Sequence, residues 1–290
     1  MTKMTIKYTV IYHSNCLDGF GAAWAARRYF QVNGKREDVE FIPGVYQTTL
    51  PDVTGKFVYV VDFSYKREDM KKLASQAKQI TVIDHHASAI KDLEDLDKEV
   101  VNLNLHFGKD NSGAVLTWRH FFPNNECPML LKHIEDRDLW AWKLEGTKEI
   151  TTGLFAKGFN FEGWSELIET GENGIAHLYA IGSVLNEKFD ADLARIIKSS
   201  THRLVIDGYS VPAINAPGMF ASEGGNILSQ GEPFAAVYQI LDGKLSFSLR
   251  SQGNEAQALD VSVIAAKFGG GGHKNAAGFS IPFTLGEIKL

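Results

Sequence analysis

Three short apolar runs in the first half of the chain each end on a side chain that binds metals. Val10-Ile11-Tyr12 leads into His13, Tyr59-Val60-Val61 into Asp62, and Thr81-Val82-Ile83 into Asp84-His85-His86. Runs of this kind, spaced by helical patterns, read as parallel strands of an α/β sheet. In an open parallel sheet ligands bind outside the carboxyl ends of the strands, so the three ends converge on one crevice. Converging carboxylates and imidazoles repel or stay unpaired unless a cation sits among them. A mixed set of the two suits a divalent first-row metal such as manganese.

Periodicity predicts strands over 8–12, 57–61, 80–83 and 100–105, and helices over 19–29, 66–78 and 112–122, the last closed by Pro123. Further helices are expected over 127–136 and 164–169, with a long one over 175–200. The pattern then changes to a strand over 209–214, a helix over 224–229, and strands over 234–241 and 244–250. Asp242-Gly243 between the last two is a hairpin turn, because both positions tolerate φ > 0. A helix over 260–268 with Asp260 as N-cap, a glycine run and a strand over 277–281 complete the second unit. The fold class is therefore α/β in two domains, with the change of pattern near residue 200. A parallel-sheet domain is expected over 1–185, a connecting helix over 186–204 and a smaller α/β domain over 205–290. With 44% hydrophobic residues the chain can fill two cores.

Thirty Lys and Arg against 35 Asp and Glu leave a net charge of -5, which speaks against holding long nucleic acid by a basic surface. A small anionic substrate remains compatible with a locally positive site. No stretch approaches the ~20 apolar residues of a membrane span and no secretory leader is recognisable, so a soluble cytoplasmic protein is expected. Cys16 and Cys127 lack CxxC spacing and exclude a disulfide framework.

The segment His13-Ser14-Asn15-Cys16-Leu17-Asp18-Gly19 opens an alanine-rich helix. Asp18 alone reads more readily as a helix cap than as a ligand, and Asp62 alone as a helix-start aspartate. The adjacent His85-His86 pair after Asp84 has no packing or turn role that commoner residues would not fill. Glu135-Asp136-Arg137-Asp138 is either a solvated charge run or a fourth ligand group. Counted together, His13, Asp18, Asp62, His85 and Asp136 suffice for two metals if one carboxylate bridges. Two ions ~3.5–4 Å apart hold a hydroxide and polarise a phosphoryl group for in-line attack. In the second unit the glycine run before His273-Lys274-Asn275 is either a plain loop or C-cap, or an anion cradle. In the latter, the backbone at Gly271 and Gly272 comes close to the anion, with His273 and Asn275 beside it. Arg250 is an edge-strand arginine or a bidentate phosphate clamp. Phe20 and Trp24 read as core rather than as base-stacking groups.

With these residues in place, the sequence resembles the DHH family of phosphoesterases, named for a triplet matched here by Asp84-His85-His86. It resembles the branch with a DHH-associated C-terminal domain, whose GGGH signature is matched by residues 270–273. The match runs from His13 to Phe279. The resemblance implies a two-manganese site on the first domain, with magnesium or cobalt as substitutes, and substrate-binding groups on the second. His13, Asp18, Asp62, His85 and Asp136 match the metal ligands, with Asp62 bridging. His86 matches the residue on the scissile phosphate, and Asp84 a partner that orients His85. Arg250 and His273 match groups that hold the substrate's phosphate or terminal nucleotide. The family's first motif commonly reads Asp-x-Asp. Here Cys16 replaces the first aspartate, as a softer ligand or leaving one metal with a water. Asp136 is preferred to Asp138 because it stands at the family's fourth-motif position.

The activity implied is that of a nanoRNase-like phosphodiesterase, a hydrolase that cleaves short linear oligonucleotides, down to pGpG or pApA, to 5′-mononucleotides. The alternatives are a RecJ-like single-strand exonuclease, a pyrophosphatase or polyphosphatase, and a non-catalytic nucleotide-sensing module. The partner expected is a short oligonucleotide or dinucleotide, with neither long duplex nucleic acid nor membrane, and a homodimer is compatible with the chain.

Overall fold

In the computed structural model, which describes residues 7–45, 49–253 and 257–283, the chain divides into two units, Met1–Asn186 and Glu187–Leu290. The first holds five strands, β1 (Tyr8–His13), β2 (Val39–Gly44), β3 (Phe57–Val61), β4 (Gln79–Asp84) and β5 (Leu103–Phe107). All pair in parallel, in the order β2-β1-β3-β4-β5. Its helices are α1 (Leu17–Val32), α2 (Arg67–Gln76), α3 (Ala87–Asp92), α4 (Leu96–Glu99), α5 (Gly113–Phe121), α6 (Met129–Asp138), α7 (Thr147–Lys157) and α8 (Phe161–Glu169). A long helix, α9 (Glu172–Ser200), begins in the first unit and ends in the second.

Successive strand residues point to opposite faces, and here both faces are apolar, which is why the strands read as continuous hydrophobic runs. Val10, Val61 and Ile83 pack against Ala22, Ala26 and Phe30 of α1 and Phe121 of α5. Their neighbours Ile11, Val60 and Val82 pack on the other face against Met70 and Leu73 of α2, Leu93, and Leu96 of α4. The alanines of α1 let that helix lie close on the sheet. At Gly19 a Cβ would stand 2.3 Å from the His13 carbonyl oxygen, so only glycine fits. A second helical layer is built on Phe20, Trp24, Trp118, Leu131, Ile134 and Trp164. Trp24 stacks on Trp118 and Phe20 on Phe161, so both act as core.

The sheet order reverses between β1 and β3, and the crevice of such a sheet opens at the carboxyl ends of those two strands. His13 closes β1, Asp62 follows β3 and Asp84 closes β4.

The second unit holds β6 (His202–Ile206), β7 (Tyr209–Asn215), α10 (Ala221–Leu228), β8 (Ala235–Leu241), β9 (Lys244–Arg250), α11 (Val261–Lys267), β10 (Gly271–His273) and β11 (Ala276–Pro282). Its sheet runs β10-β11-β9-β8-β7-β6, antiparallel except for β7 with β8. Asp242 and Gly243 turn β8 into β9 with φ of 49° and 69°. The Asp260 carboxylate caps α11 by accepting from the Ser262 N–H. Phe234, Phe247, Leu249, Ile264 and Phe279 form the core. Among the described residues, no helix is long and apolar enough to cross a membrane.

Candidate functional site

Asp62 stands one residue beyond β3 with φ of 50°, in the left-handed region. Its N–H still donates to the Ile83 carbonyl at 2.9 Å, so the turn of the chain comes immediately after the ladder. Its carboxylate is buried, with His13 Nδ1 at 3.6 Å from Oδ2 and His85 Nε2 at 3.2 Å from Oδ1. His85 Nε2 also lies 3.6 Å from Asp18 Oδ2 and 3.5 Å from Asp138 Oδ2. Three overlapping ligand sets result: His13 with Cys16 and Asp62, Asp62 with His85 and His86, and Asp18 with His85 and Asp138. Within each set the candidate ligand atoms lie within 4.8 Å of one another. Asp62 and His85 each belong to two.

Both Asp62 oxygens and His13 Nδ1 are buried without a hydrogen-bond partner among the described residues. A buried ionised carboxylate in that condition costs several kcal/mol unless a cation faces it. The oxygen and nitrogen donors fit a divalent first-row metal. Without a metal, protons supply the missing charge. The carboxylate of Asp62 and the Cys16 thiol beside it raise His13 to about 10. Burial pushes Asp62 up, yet the imidazoles of His13 and His85 bring it down to about 2. Burial and the neighbouring Asp62 raise both Asp18 and Asp138.

Asp18 is a cap, though of a different helix. It is the second residue of α1, and its oxygens accept from Gly113 N (2.6 Å) and Ala114 N (3.0 Å) at the start of α5. The sequence pattern predicts this helix, over 112–122, but not its hold on Asp18, and that hold ties the site to the core. A Cβ on Gly113 would stand 2.4 Å from Asp62 Cβ. Asp84 holds His86, with Oδ1 2.7 Å from His86 Nδ1, and also accepts from the His85 and His86 N–H groups. Its Oδ2 accepts from Ser64 Oγ. The expectation that Asp84 orients the His85 ring is thus corrected: it orients the neighbouring ring, because His85 turns its Nε2 to Asp62, Asp18 and Asp138.

A second correction concerns Asp136. Its Oδ1 accepts from Lys143 N (2.7 Å), and its Oδ2 from Leu144 N (3.0 Å) and Thr147 Oγ1 (2.7 Å), so it points away from the cluster and fastens the turn after α6. Asp138, two residues on, reaches His85 instead. Cys16, at the N-cap of α1, stands with His13 and Asp62. We expect Cys16→Asp to raise manganese affinity, and Cys16→Ser to lower affinity for thiophilic cobalt or zinc more than for manganese. Metal titration calorimetry checks this, and unchanged binding in both variants refutes it.

In the second unit His273 pairs with Ala276, and Ala276 with Arg250. Directly opposed residues share a face, so His273 and Arg250 emerge on one face two strands apart, about 10 Å. Arg250 is half-buried and donates to Leu249 O (2.9 Å) and Ser222 Oγ (3.0 Å), while His273 is exposed. Gly271 faces open space, whereas a Cβ on Gly272 would stand 2.5 Å from Ala277 Cα. Asn275 braces the turn after β9: its carbonyl accepts from Ser251 N and its Oδ1 from Ser251 Oγ. Gly272 and Asn275 therefore shape the strand pair, and the exposed donor of the row is His273.

Residues 218–287 match the DHHA1 domain family. The chain is 31% identical to an uncharacterized protein of Acanthamoeba polyphaga mimivirus, over 93% of this chain and 66% of that protein. It is 24% identical to oligoribonuclease NrnB of Bacillus subtilis, over 96% of this chain and 74% of that one. It thus spans about two thirds to three quarters of the length of these relatives. Its fold is that of the DHH domain of a member of a ribosomal-protein family, with a TM-score of 0.61, 16% identity and coverage of 96% and 83% of the two chains. The pGpG-specific phosphodiesterase PggH of Vibrio cholerae superposes with a TM-score of 0.51 and 14% identity, covering 96% and 94%. Exonuclease RecJ bound to manganese superposes at 0.52 and 15%, covering 95% and 86%.

Proposed function

Because the chain belongs to the DHH family of phosphoesterases, we propose that it hydrolyses short linear oligonucleotides, down to dinucleotides such as pGpG or pApA, to 5′-mononucleotides. The observation that carries this reading is the buried Asp62 carboxylate, unpartnered on both oxygens and shared between two ligand sets. His13, Cys16 and Asp62 would hold one divalent ion, and Asp18, Asp62, His85 and Asp138 a second, with manganese favoured by the donor set. Bound there, the ions supply a Lewis acid for the phosphoryl group and activate the attacking water. His86 has its Nδ1 engaged by Asp84, which favours the charged ring, and so offers an Nε2–H donor to a phosphate oxygen. The same bond fixes the orientation of that donor before substrate arrives.

The row of Arg250 and His273 supports a separate anion clamp, suited to a terminal phosphate or nucleotide. The names of NrnB and PggH point to short substrates, and the net charge of -5 fits a small anion better than a long strand.

Product analysis with manganese on pGpG, pApA, a longer RNA, a cyclic dinucleotide and pyrophosphate tests the proposal. We expect rapid conversion of a dinucleotide to mononucleotides, lost in His85→Ala. Phosphate release from pyrophosphate without dinucleotide cleavage would move the protein to the phosphatase branch, and cleavage of the longer RNA alone to the exonuclease branch.

A further inference from the structure

Immediately after Asp138 the chain makes a turn that carries two tryptophans, Trp140 and Trp142, with φ of 55° and 52°. Bulky side chains rarely occupy this region, and strain of this kind persists where surrounding bonds over-determine the backbone. Here one residue does so. The Asp136 carbonyl accepts from Ala141 N (2.9 Å) and Trp142 N (3.3 Å), and its carboxylate accepts from Lys143 N and Leu144 N. Four consecutive N–H groups thus converge on Asp136, while Trp140 N donates to the Arg137 carbonyl at 3.0 Å.

The turn is therefore rigid, yet it holds its largest side chain in water. Trp140 is 61% exposed, and Trp142 stands edge-on to it at 5.0 Å between ring centroids, bracing its orientation. Trp140 lines a cavity of about 320 Å³ together with Asn15, Cys16, Asp18, Asp138 and Phe155. That cavity borders the ion-binding cluster directly, since Cys16, Asp18 and Asp138 belong to both.

We propose that Trp140 is a stacking platform for the nucleobase attached to the phosphate held at the cluster. The inference rests on the proposed phosphodiesterase activity and extends it: the first unit recognises a base as well as a phosphate. A flat aromatic face accepts any base, so the platform fixes position without reading sequence. It also favours substrates that carry a base next to the reacting phosphate over inorganic pyrophosphate and polyphosphate.

Trp140→Gly removes the ring and relieves the left-handed backbone, so the variant will melt at the wild-type temperature or above it. Its KM for pGpG should rise roughly ten- to a hundredfold, with kcat little changed, and Trp140→Phe should recover most of the loss. A dinucleotide analogue abasic at the stacked position should be cut equally by wild type and Trp140→Gly. Binding is read independently of hydrolysis by titrating 5′-GMP against tryptophan fluorescence: quenching in the wild type, absent in Trp140→Gly, is expected. If that quenching pattern holds but no dinucleotide is cleaved, the platform stands and the phosphodiesterase reading falls. Absence of quenching in the wild type, or an unchanged KM in Trp140→Gly, overturns the platform.

Discussion

Asp62→Ala will cut dinucleotide cleavage by orders of magnitude and abolish the response of the protein to manganese. Removing the carboxylate common to two ligand sets should lower kcat by about three decades or more, some 4 kcal/mol of barrier. In its place nothing charged is left stranded, because His13 and His85 lose their protons once the carboxylate that holds them is gone. In the metal-free protein near neutral pH, the lowered Asp62 and the raised His13 and His85 mean that their ion pairs favour the fold, so the variant melts somewhat below wild type without metal. Wild type gains about 2.7 kcal/mol when manganese reaches a hundred times its dissociation constant, and the variant gains none. Calorimetric melting with and without manganese measures both. A variant that melts several degrees lower yet still responds to manganese would show Asp62 to be a structural acid.

The two aspartates at the end of α6 should fail in opposite ways. Asp136→Ala strips partners from Lys143 N, Leu144 N and Thr147 Oγ1 and should cost about 2–5 kcal/mol of stability, or roughly 5–15 °C in melting temperature. Asp138→Ala should melt normally without metal and lose most of its manganese-induced rise, because its carboxylate faces His85. Paired melting curves for the two variants separate the roles. The reverse pattern, with Asp136→Ala stable and unresponsive to metal, would restore Asp136 as the ligand.

The buried parallel strands were legible because nothing else makes short unbroken runs such as Phe57–Val61 end on an acid or imidazole. The hairpin at Asp242-Gly243 was legible from its turn chemistry alone. β2 was not, because Glu40 and Pro43 interrupt its apolar run; proline is tolerated there because the strand lies at the sheet edge. β10 has three residues, two of them glycine, and exists only by pairing with β11. The choice between Asp136 and Asp138 left no signal in helical phase. Asp136 is buried with Leu130, Leu131 and Ile134 on α6, while Asp138, four residues beyond Ile134, is exposed. Only the hydrogen bonds that occupy the Asp136 carboxylate tell the two apart, and their donors lie seven to eleven residues further along the chain. The hold of Gly113 and Ala114 on Asp18 spans 95 and 96 residues, a distance at which local pattern carries no information.

All candidate ligands lie between residues 13 and 138, within a unit that closes at Asn186. Domains fold as units during synthesis, the N-terminal one first, at about 5–20 residues per second. Every candidate ligand is therefore made before residues 187–290, and the set draws on none of them.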